Sequence, residues 1–199
     1  ELVRMHKEEK LSFKNVVTFN LDEYYPIDNQ AIQSYNRFMR AHLFDHIDIN
    51  PKNIHIPNGE IAKDQVKDHC KQYDKMIDDA GGIDIQILGV GNNGHIGFNE
   101  PGVDFNNRSH LATLAPVTSE VGQKYFQTPM QLSLGLTLGF SYLKEAAKVI
   151  LIATGQSKAS IIKTALKGPV TSNVPASFMQ TLDHGMVFLD QQAAQDLAR

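Results

Sequence analysis

The sequence predicts an α/β fold built on a doubly wound, mostly parallel β-sheet. Apolar, β-branched segments alternate with helical patterns, and the clearest strand, residues 148–153, is almost wholly apolar. Continuous apolar runs of this kind are typical of parallel strands that helices cover on both faces. No internal repeat, low-complexity tract or linker divides the chain, so we expect one domain over residues 1–199.

In the first half of the chain, two predicted strands alternate with two predicted helices. The first strand is β-branched and aromatic and ends at Asp22, and the second is short and closed by a proline. The helices are indicated by apolar residues at helical spacing, and a glycine pair ends the second helix. In chain order, these elements cover residues 15–21, 30–47, 54–57 and 61–80.

The second half continues the same alternation. A strand runs into a glycine-rich turn, an extended segment precedes a helix, and a buried strand and helix precede the last strand and a C-terminal helix. The predicted strands and extended segments of this half cover residues 83–89, 108–115, 148–153 and 186–189. The predicted helices are one through Val121 and Phe126, one over residues 157–167 and the C-terminal helix.

The composition excludes several classes of function. The chain has 19 Lys and Arg residues against 22 Asp and Glu residues, and it lacks the basic stripe that a nucleic-acid backbone requires. Its apolar runs are far shorter than the ~18 residues of a membrane span. The single cysteine, Cys70, excludes an internal disulfide and a thiolate metal cluster. We therefore expect a cytoplasmic protein without nucleic-acid or membrane partners.

The glycine-rich loop of residues 89–101 carries the strongest chemical signal. Its glycines match a dinucleotide-binding pattern, but later glycine and proline residues interrupt the helix that such a pattern needs. The loop places Asn93, His95 and Glu100 close together after a predicted parallel strand. A histidine near neutrality, oriented by a carboxylate and an amide, suits proton transfer. The alternative is that His95 has only a structural role. A metal site is not indicated, because the sequence lacks the ligand spacing that such a site needs.

Two further polar segments follow predicted strands, where ligands bind in doubly wound folds. Asp22 ends the first strand, and burial there can raise its basicity; a helix cap or a surface position is the alternative. Thr154, Gly155 and Lys158 lie between a strand and a helix, where free amide groups suit a phosphate. A base, a proton shuttle and a phosphate anchor together indicate a sugar-phosphate enzyme.

Four segments resemble the glucosamine-6-phosphate deaminase family. They span essentially the whole chain in the family's order, and the motifs FNLDEY and GHIGFNEP are specific. The segments are residues 19–24, 89–101, 135–139 and 168–177. The resemblance implies a Rossmann-like fold without a cofactor or metal, and conversion of D-glucosamine 6-phosphate and water to D-fructose 6-phosphate and ammonia. This reaction belongs to amino-sugar (N-acetylglucosamine) catabolism.

The resemblance also implies a role for each candidate residue. Asp22 resembles the base that moves a proton between C2 and C1 of the sugar. His95 resembles the residue that opens the pyranose ring, assisted by Asn93 and Glu100. Lys158 matches a lysine that grips the substrate phosphate, and the remaining expected substrate-binding residues are Thr154, Gly155 and Lys124.

Departures from the family pattern limit the resemblance. Lys124 stands where many relatives have a phosphate-binding arginine, so that contact would be monodentate. His110 and Ala112 replace basic residues of allosterically regulated relatives, so we expect no such regulation. The family's first strand and phosphate loop would precede residue 1, so we expect the chain to be an N-terminally truncated version.

Three alternatives remain open beside the deaminase interpretation. A 6-phosphogluconolactonase-like hydrolase would share the fold but would not need the segment at Asp22. A non-catalytic sugar-phosphate sensor would not keep Asp22, His95 and Glu100 together. A galactosamine-6-phosphate isomerase differs only in the C4 epimer, which no residue here decides, and the sequence leaves a homo-oligomer open.

Overall fold

Three β-sheets form the framework of the molecule, and our computed structural model describes it over residues 1–123 and 133–197. The strands are β1 (Thr18–Phe19), β2 (Asp22–Tyr25), β3 (Ile54–His55), β4 (Ile85–Leu88), β5 (His110–Thr113), β6 (Leu134–Thr137), β7 (Lys148–Ala153) and β8 (Gly185–Leu189). The α-helices are α1 (Leu2–Glu9), α2 (Tyr35–His42), α3 (Val66–Asp79), α4 (Pro116–Gln123), α5 (Ser141–Glu145) and α6 (Ala159–Lys167).

The parallel sheet has the strand order β4-β7-β8 and holds the main core of the molecule. Leu88 pairs with Leu151, and both side chains are at most 2% exposed. They pack in one cluster with Phe140 and Ile162, the latter on α6. Because β4 and β7 are neighbours, the loops after them leave the same edge of the sheet.

A second, antiparallel sheet was not predicted from the sequence. Its order is β2-β6-β5, and Asp22 pairs with Thr137 of β6. A short parallel pair, β1-β3, is formed by strands that precede and follow β2 in the chain. Among the described residues, three strand pairings are parallel and two are antiparallel. The α/β class is confirmed, but Asp22 begins a strand and does not follow one.

Several predicted elements are shorter than their apolar patterns suggest. The predicted helix at residues 30–47 contains only α2, which begins after Ser34, whose hydroxyl accepts a hydrogen bond from the amide of Asn36. The predicted helix at residues 61–80 begins only at Val66. Side-chain capping at the start of α2 explains its boundary, since a capping residue leaves the helical conformation.

The predicted C-terminal helix is wrong. Residues 191–197 form consecutive turns, and Asp190 accepts hydrogen bonds from the amides of Gly155 and Ala193. A segment this short gains little from helix propagation. It is held by the fully buried Ala193 and by packing of Leu197 on the main core.

Two smaller observations bear on the predicted classes of function. No helix among the described residues is long and apolar enough to cross a membrane. Cys70 is buried in α3, and burial raises the pKa of its thiol to about 11. A thiol with so high a pKa is a poor nucleophile at neutral pH.

Candidate active site

A cavity of about 650 Å³ opens where β2, the loop after β4 and the segment after β7 meet. Its walls combine backbone of the glycine-rich loop with aromatic, acidic and basic side chains. The residues that line it are Leu21, Asp22, Tyr24, Tyr35, Gly89, Val90, Gly91, Asn92, His95, Gly97, Phe98, Val117, Thr118, Ser157 and Lys158. A concave site of this size accommodates a small, hydroxyl-rich ligand.

Asp22 occupies the floor of this cavity at the start of β2. Part of the side chain reaches the cavity, but the carboxyl lies deep in the molecule. Burial, aided by the negative charge of Glu23, raises its pKa to about 7. A carboxylate with a pKa near neutrality can accept a proton and return it under ordinary conditions.

The backbone of the glycine-rich loop passes close to Asp22. Gly97 has a φ of +57°, and a Cβ added there would lie 3.3 Å from Asp22 Oδ2 and 2.9 Å from Thr137 Oγ1. The next amide, of Phe98, donates a hydrogen bond to Thr137 Oγ1 (3.2 Å). A glycine is therefore required where the loop meets the β2–β6 pair.

His95 lies flat against the loop that carries it. A Cβ on Gly91 would overlap the His95 imidazole ring, so this glycine provides the space that the ring occupies. The amide of Gly91 donates to the carbonyl of His95 (2.9 Å), which closes the turn. Gly94, with a φ of +88°, turns the chain between the two residues.

Asn93 and Glu100 hold each other behind His95. Asn93 Nδ2 donates to Glu100 Oε2 (2.7 Å), and the amide of His95 donates to Asn93 Oδ1 (3.2 Å). Glu100 Oε2 lies 3.6 Å from His95 Nδ1. Asn93 therefore orients the backbone of His95 and the carboxylate, whereas its hydrogen bonds do not reach the imidazole.

Glu100 is held in its ionised form. Burial opposes ionisation, but the interactions of the carboxylate with His95, Thr118 and Asn93 outweigh it and lower the pKa of Glu100 to about 2. The amide of Ala115 also donates to Glu100 Oε1 (3.2 Å). A carboxylate with this many donors stays charged throughout the physiological pH range.

Lys158 reaches the cavity from the segment after β7. Its Nζ donates to the carbonyl of Val90 (2.8 Å) and to Asn92 Oδ1 (2.9 Å). Burial lowers the pKa of this lysine. The ammonium group is therefore fixed against the glycine-rich loop, on the same cavity as His95.

The structure separates the other predicted phosphate ligands from the cavity. Thr154 and Gly155 are not among its lining residues, and the amide of Gly155 donates to both oxygens of Asp190 (3.1 and 2.9 Å). This amide is thus engaged by a carboxylate, in place of the expected phosphate, whereas Ser157 lines the cavity. Lys124 lies outside the described residues.

The sequence interpretation missed three contributors to the site. Thr118 contacts His95 Nδ1 (3.1 Å), and Tyr35 stacks on Tyr24 with ring centroids 5.4 Å apart. Phe98 completes the aromatic wall, 5.0 Å from Tyr24. The aromatic pattern assigned Tyr35 only to the apolar face of a helix, and no spacing signal connects Thr118 to the loop.

Metal binding has no support in the described part of the chain. Over residues 1–123 and 133–197, no group of three or more His, Cys, Asp or Glu side chains could hold a metal ion.

Enzymes of the α/β class place their reacting groups where the carboxyl ends of parallel strands meet, and this cavity has that position. With the carboxyl of Asp22, the imidazole of His95 and the ammonium group of Lys158, it identifies an enzyme of that class. The chain belongs to the family of glucosamine-6-phosphate isomerases and 6-phosphogluconolactonases, since the family model matches residues 1–188. This finding confirms the resemblance carried by the sequence motifs.

Individual relatives agree with this assignment. Glucosamine-6-phosphate deaminase 2 of Bacillus subtilis (strain 168) is 42% identical over 200 residues, covering 99% of this chain and 80% of the relative. A solved structure of a monomeric glucosamine-6-phosphate deaminase superposes with a TM-score of 0.93 at 37% identity, covering 98% of this chain and 80% of that one.

More distant structures share the fold alone. The 6-phosphogluconolactonase of Thermotoga maritima has a TM-score of 0.72 at 21% identity and covers 94% of this chain and 78% of that one. The likeness supports the α/β architecture. It does not bear on the reaction, because one fold hosts several chemistries.

Proposed function

We propose that the chain converts D-glucosamine 6-phosphate and water to D-fructose 6-phosphate and ammonia. The observation that carries the proposal is the pairing, in one cavity, of Asp22, whose pKa is about 7, with His95. An aldose–ketose isomerisation requires a base that takes a proton from C2 and returns it to C1. A carboxyl that titrates near neutrality suits both transfers.

Ring opening is the first step in this proposal. The C1 hydroxyl must lose a proton while the ring oxygen gains one, and a single imidazole can serve both atoms. His95 has the ionised Glu100 beside it, which stabilises the positive charge on the ring after it takes a proton. His95, assisted by Asn93 and Glu100, therefore opens the pyranose to the aldehyde.

Proton transfer and deamination follow. Asp22 removes the C2 proton from the aldehyde while the O1 oxygen takes a proton from water, which gives an enolamine. The protonated carboxyl then delivers its proton to C1 while the C2 nitrogen releases a proton to water. The product is an imine at C2. Water adds to this imine, and loss of ammonia leaves the ketone of fructose 6-phosphate. No oxidant or reductant is needed, because the isomerisation only moves hydrogen within the sugar.

Lys158 anchors the substrate phosphate in this proposal. Two of its three N–H donors contact Val90 and Asn92, so one donor and the positive charge remain for the ligand. The direct test of function supplies the chain with glucosamine 6-phosphate and measures fructose 6-phosphate and ammonia. Equimolar formation of the two products is expected.

Parallel reactions distinguish the alternatives. Galactosamine 6-phosphate tests the C4 epimer, and 6-phosphogluconolactone tests the hydrolase. Lactone hydrolysis above the spontaneous rate, without release of ammonia from either amino sugar, would overturn the deaminase assignment. Ammonia release from galactosamine 6-phosphate alone would assign the chain to the other epimer.

We also propose that the chain works in the cytoplasm. Its only cysteine is buried and unpaired, which suits a reducing compartment. A similar solved structure is that of a monomeric glucosamine-6-phosphate deaminase, which supports a monomer here. Analytical ultracentrifugation would show whether the protein nevertheless forms a homo-oligomer.

A further inference from the structure

The first turn of α4 contacts the candidate active site at two points. The amide of Ala115, just before the helix, donates to Glu100 Oε1 (3.2 Å). Thr118, one turn later, lies 3.1 Å from His95 Nδ1 through its hydroxyl and is 7% exposed. The Thr118 amide donates to the carbonyl of Ala115 (3.0 Å), which joins the two contacts in one turn.

The hydrogen-bond direction of the Thr118 hydroxyl follows from its partners. His95 Nδ1 lies 3.1 Å from the Thr118 hydroxyl oxygen and 3.6 Å from Oε2 of Glu100. A carboxylate only accepts hydrogen bonds, and its negative charge favours a proton on the nearby Nδ1. The Thr118 oxygen therefore accepts from Nδ1–H, and its own single proton is left to point elsewhere, toward the carboxylate.

We propose that Thr118 is a positioning residue that links His95 to Glu100 and sets the tautomer of the imidazole. His95 Nδ1 lies 3.6 Å from the carboxylate, beyond the usual N–H···O distance, and 3.1 Å from the hydroxyl. The proton on Nδ1 is therefore held by Thr118, and the unprotonated Nε2 is left to accept a proton from a ligand. This role deepens the proposed function and rests on it.

The surroundings restrict the ring in the other directions. The imidazole lies flat against Gly91, where no side chain fits, so it cannot tilt toward the loop. Val117, the neighbour of Thr118, lines the cavity with His95. The position of one helical turn therefore determines both a wall of the site and the orientation of its proton shuttle, as hydrogen-bonding partners of functional histidines generally do.

The first test observes the tautomer directly. The ¹⁵N chemical shifts of His95 are measured in the whole chain at pH 9, where histidines are ordinarily neutral, and assigned by comparison with His95→Gln. The wild type is expected to show the Nδ1–H form. Thr118→Val keeps the shape but removes the hydroxyl, so a mixture of tautomers should appear, and Thr118→Ser should restore the single form.

Two controls keep the result specific. Thr113→Val removes an exposed hydroxyl of β5 and should leave the His95 shifts unchanged. Thermal unfolding shows whether the Thr118→Val chain has folded. If it has not, the His95 shifts of Thr118→Ser are compared with those of Thr118→Ala. An Nδ1–H form that persists in Thr118→Val or Thr118→Ala would overturn the proposal.

Kinetics provide a second readout. Thr118→Val should lower kcat by about tenfold or more, the scale of a misplaced acid–base group, with little change in KM. An unchanged kcat would contradict the positioning role. The two proposals fail differently: a wild-type chain without deaminase activity overturns the proposed function, whereas the tautomer measurement does not depend on turnover.

Discussion

Asp22 and Glu23 are neighbouring acids whose side chains point to opposite faces of β2. Asp22 faces the cavity, whereas the fully buried Glu23 accepts hydrogen bonds from the Ser34 hydroxyl and from the amides of Tyr35 and Asn36. Burial raises the pKa of Glu23, and these donors oppose that effect. One residue therefore caps α2 and also places a negative charge beside the candidate base.

The variant Glu23→Gln tests this second effect. In the wild type, kcat/KM should rise with pH as Asp22 ionises around pH 7, because only the carboxylate accepts the C2 proton. Without the Glu23 charge, the pKa of Asp22 falls, so the rise of kcat/KM with pH should occur at lower pH. The pKa of Asp22 should stay above the ordinary value of 3.8, because burial is the larger cause of its shift.

The control for this variant is Glu60→Gln, which removes an exposed carboxylate that bonds Asn29. Its pH profile should match the wild type. Glu23→Gln also loses hydrogen bonds to α2, so unfolding is followed in parallel, with a destabilisation of about 1–3 kcal/mol expected. If kcat/KM of Glu23→Gln still rises around pH 7, the proposed effect of the Glu23 charge on Asp22 is contradicted.

Between elements, β4 and β7 bring two loops together that are far apart in sequence. Val90 and Asn92 follow β4, Lys158 follows β7, and the lysine ammonium bonds both loop residues. The lysine that we propose binds the phosphate is therefore fixed to the loop that carries His95. Parallel neighbours produce this contact because their carboxyl ends lie at one edge.

Two substitutions of Asn92 distinguish its role in positioning Lys158 from the effect of charge near the proposed phosphate site. Asn92→Ala removes one partner of Lys158 and should weaken binding of fructose 6-phosphate modestly. Asn92→Asp pairs with the ammonium group and repels the phosphate, so the dissociation constant should rise roughly tenfold more. The difference should shrink at high ionic strength, because salt screens exposed charges. Equal affinities of the two variants at low salt would contradict the proposed phosphate site.

The same elements show what the sequence could predict. The parallel strands were predictable because they are continuous apolar runs, as in β7. The expectation that both faces of the sheet are covered is wrong for the described residues, since burial alternates along β7 and Ile152 is 45% exposed. The strand β2 was not, because it begins with two acids that strand propensity disfavours. β6 is only four residues long and contains Gly135, a residue that is depleted in strands.

The candidate site also has parts that the sequence could predict and parts that it could not. Asp22 and His95 were chosen from the sequence because each was expected just after a strand, although Asp22 begins β2. Asn93 and Glu100 were chosen because they share one loop with His95. Thr118 depends on a contact across 23 residues between α4 and that loop, which no local spacing encodes. Gly155 was assigned to the phosphate because nothing in the sequence indicates its bond to Asp190.

Across the whole molecule, Leu21 joins two parts of the core beside the cavity. It packs against the cluster of the parallel sheet and against the cluster around Tyr73 and Leu138. Its neighbour Asp22 is thereby held between two packed regions, where solvation of its charge is poor. Burial of this carboxyl therefore has a cost in stability when it is ionised, and in the proposed reaction the same burial gives the base its raised pKa.

The cost predicts that Asp22→Asn is more stable than the wild type at pH 8. A raised pKa in the folded state means that stability is fully present below the unfolded pKa of about 3.8 and is lost as pH rises through 7. Asparagine does not ionise, so the variant avoids this loss, by about 1–3 kcal/mol after allowing for partial exposure.

Urea unfolding at pH 8 and pH 4.5 measures this difference. The advantage of Asp22→Asn should be present at pH 8 and much smaller at pH 4.5. Asp84→Asn, which changes an exposed carboxyl before β4, should show no such advantage. A variant less stable than the wild type at pH 8 would contradict the burial of an ionised Asp22.

The central claim is that Asp22 moves the proton between C2 and C1, and hydrogen exchange at C2 of glucosamine 6-phosphate tests it most directly. The sugar labelled with deuterium at C2 is incubated with wild type, Asp22→Asn and Asp84→Asn, and loss of the label is followed by NMR. We predict loss with wild type and Asp84→Asn, and none with Asp22→Asn, although that variant still binds fructose 6-phosphate. Loss at the wild-type rate in Asp22→Asn would contradict the assignment of the base.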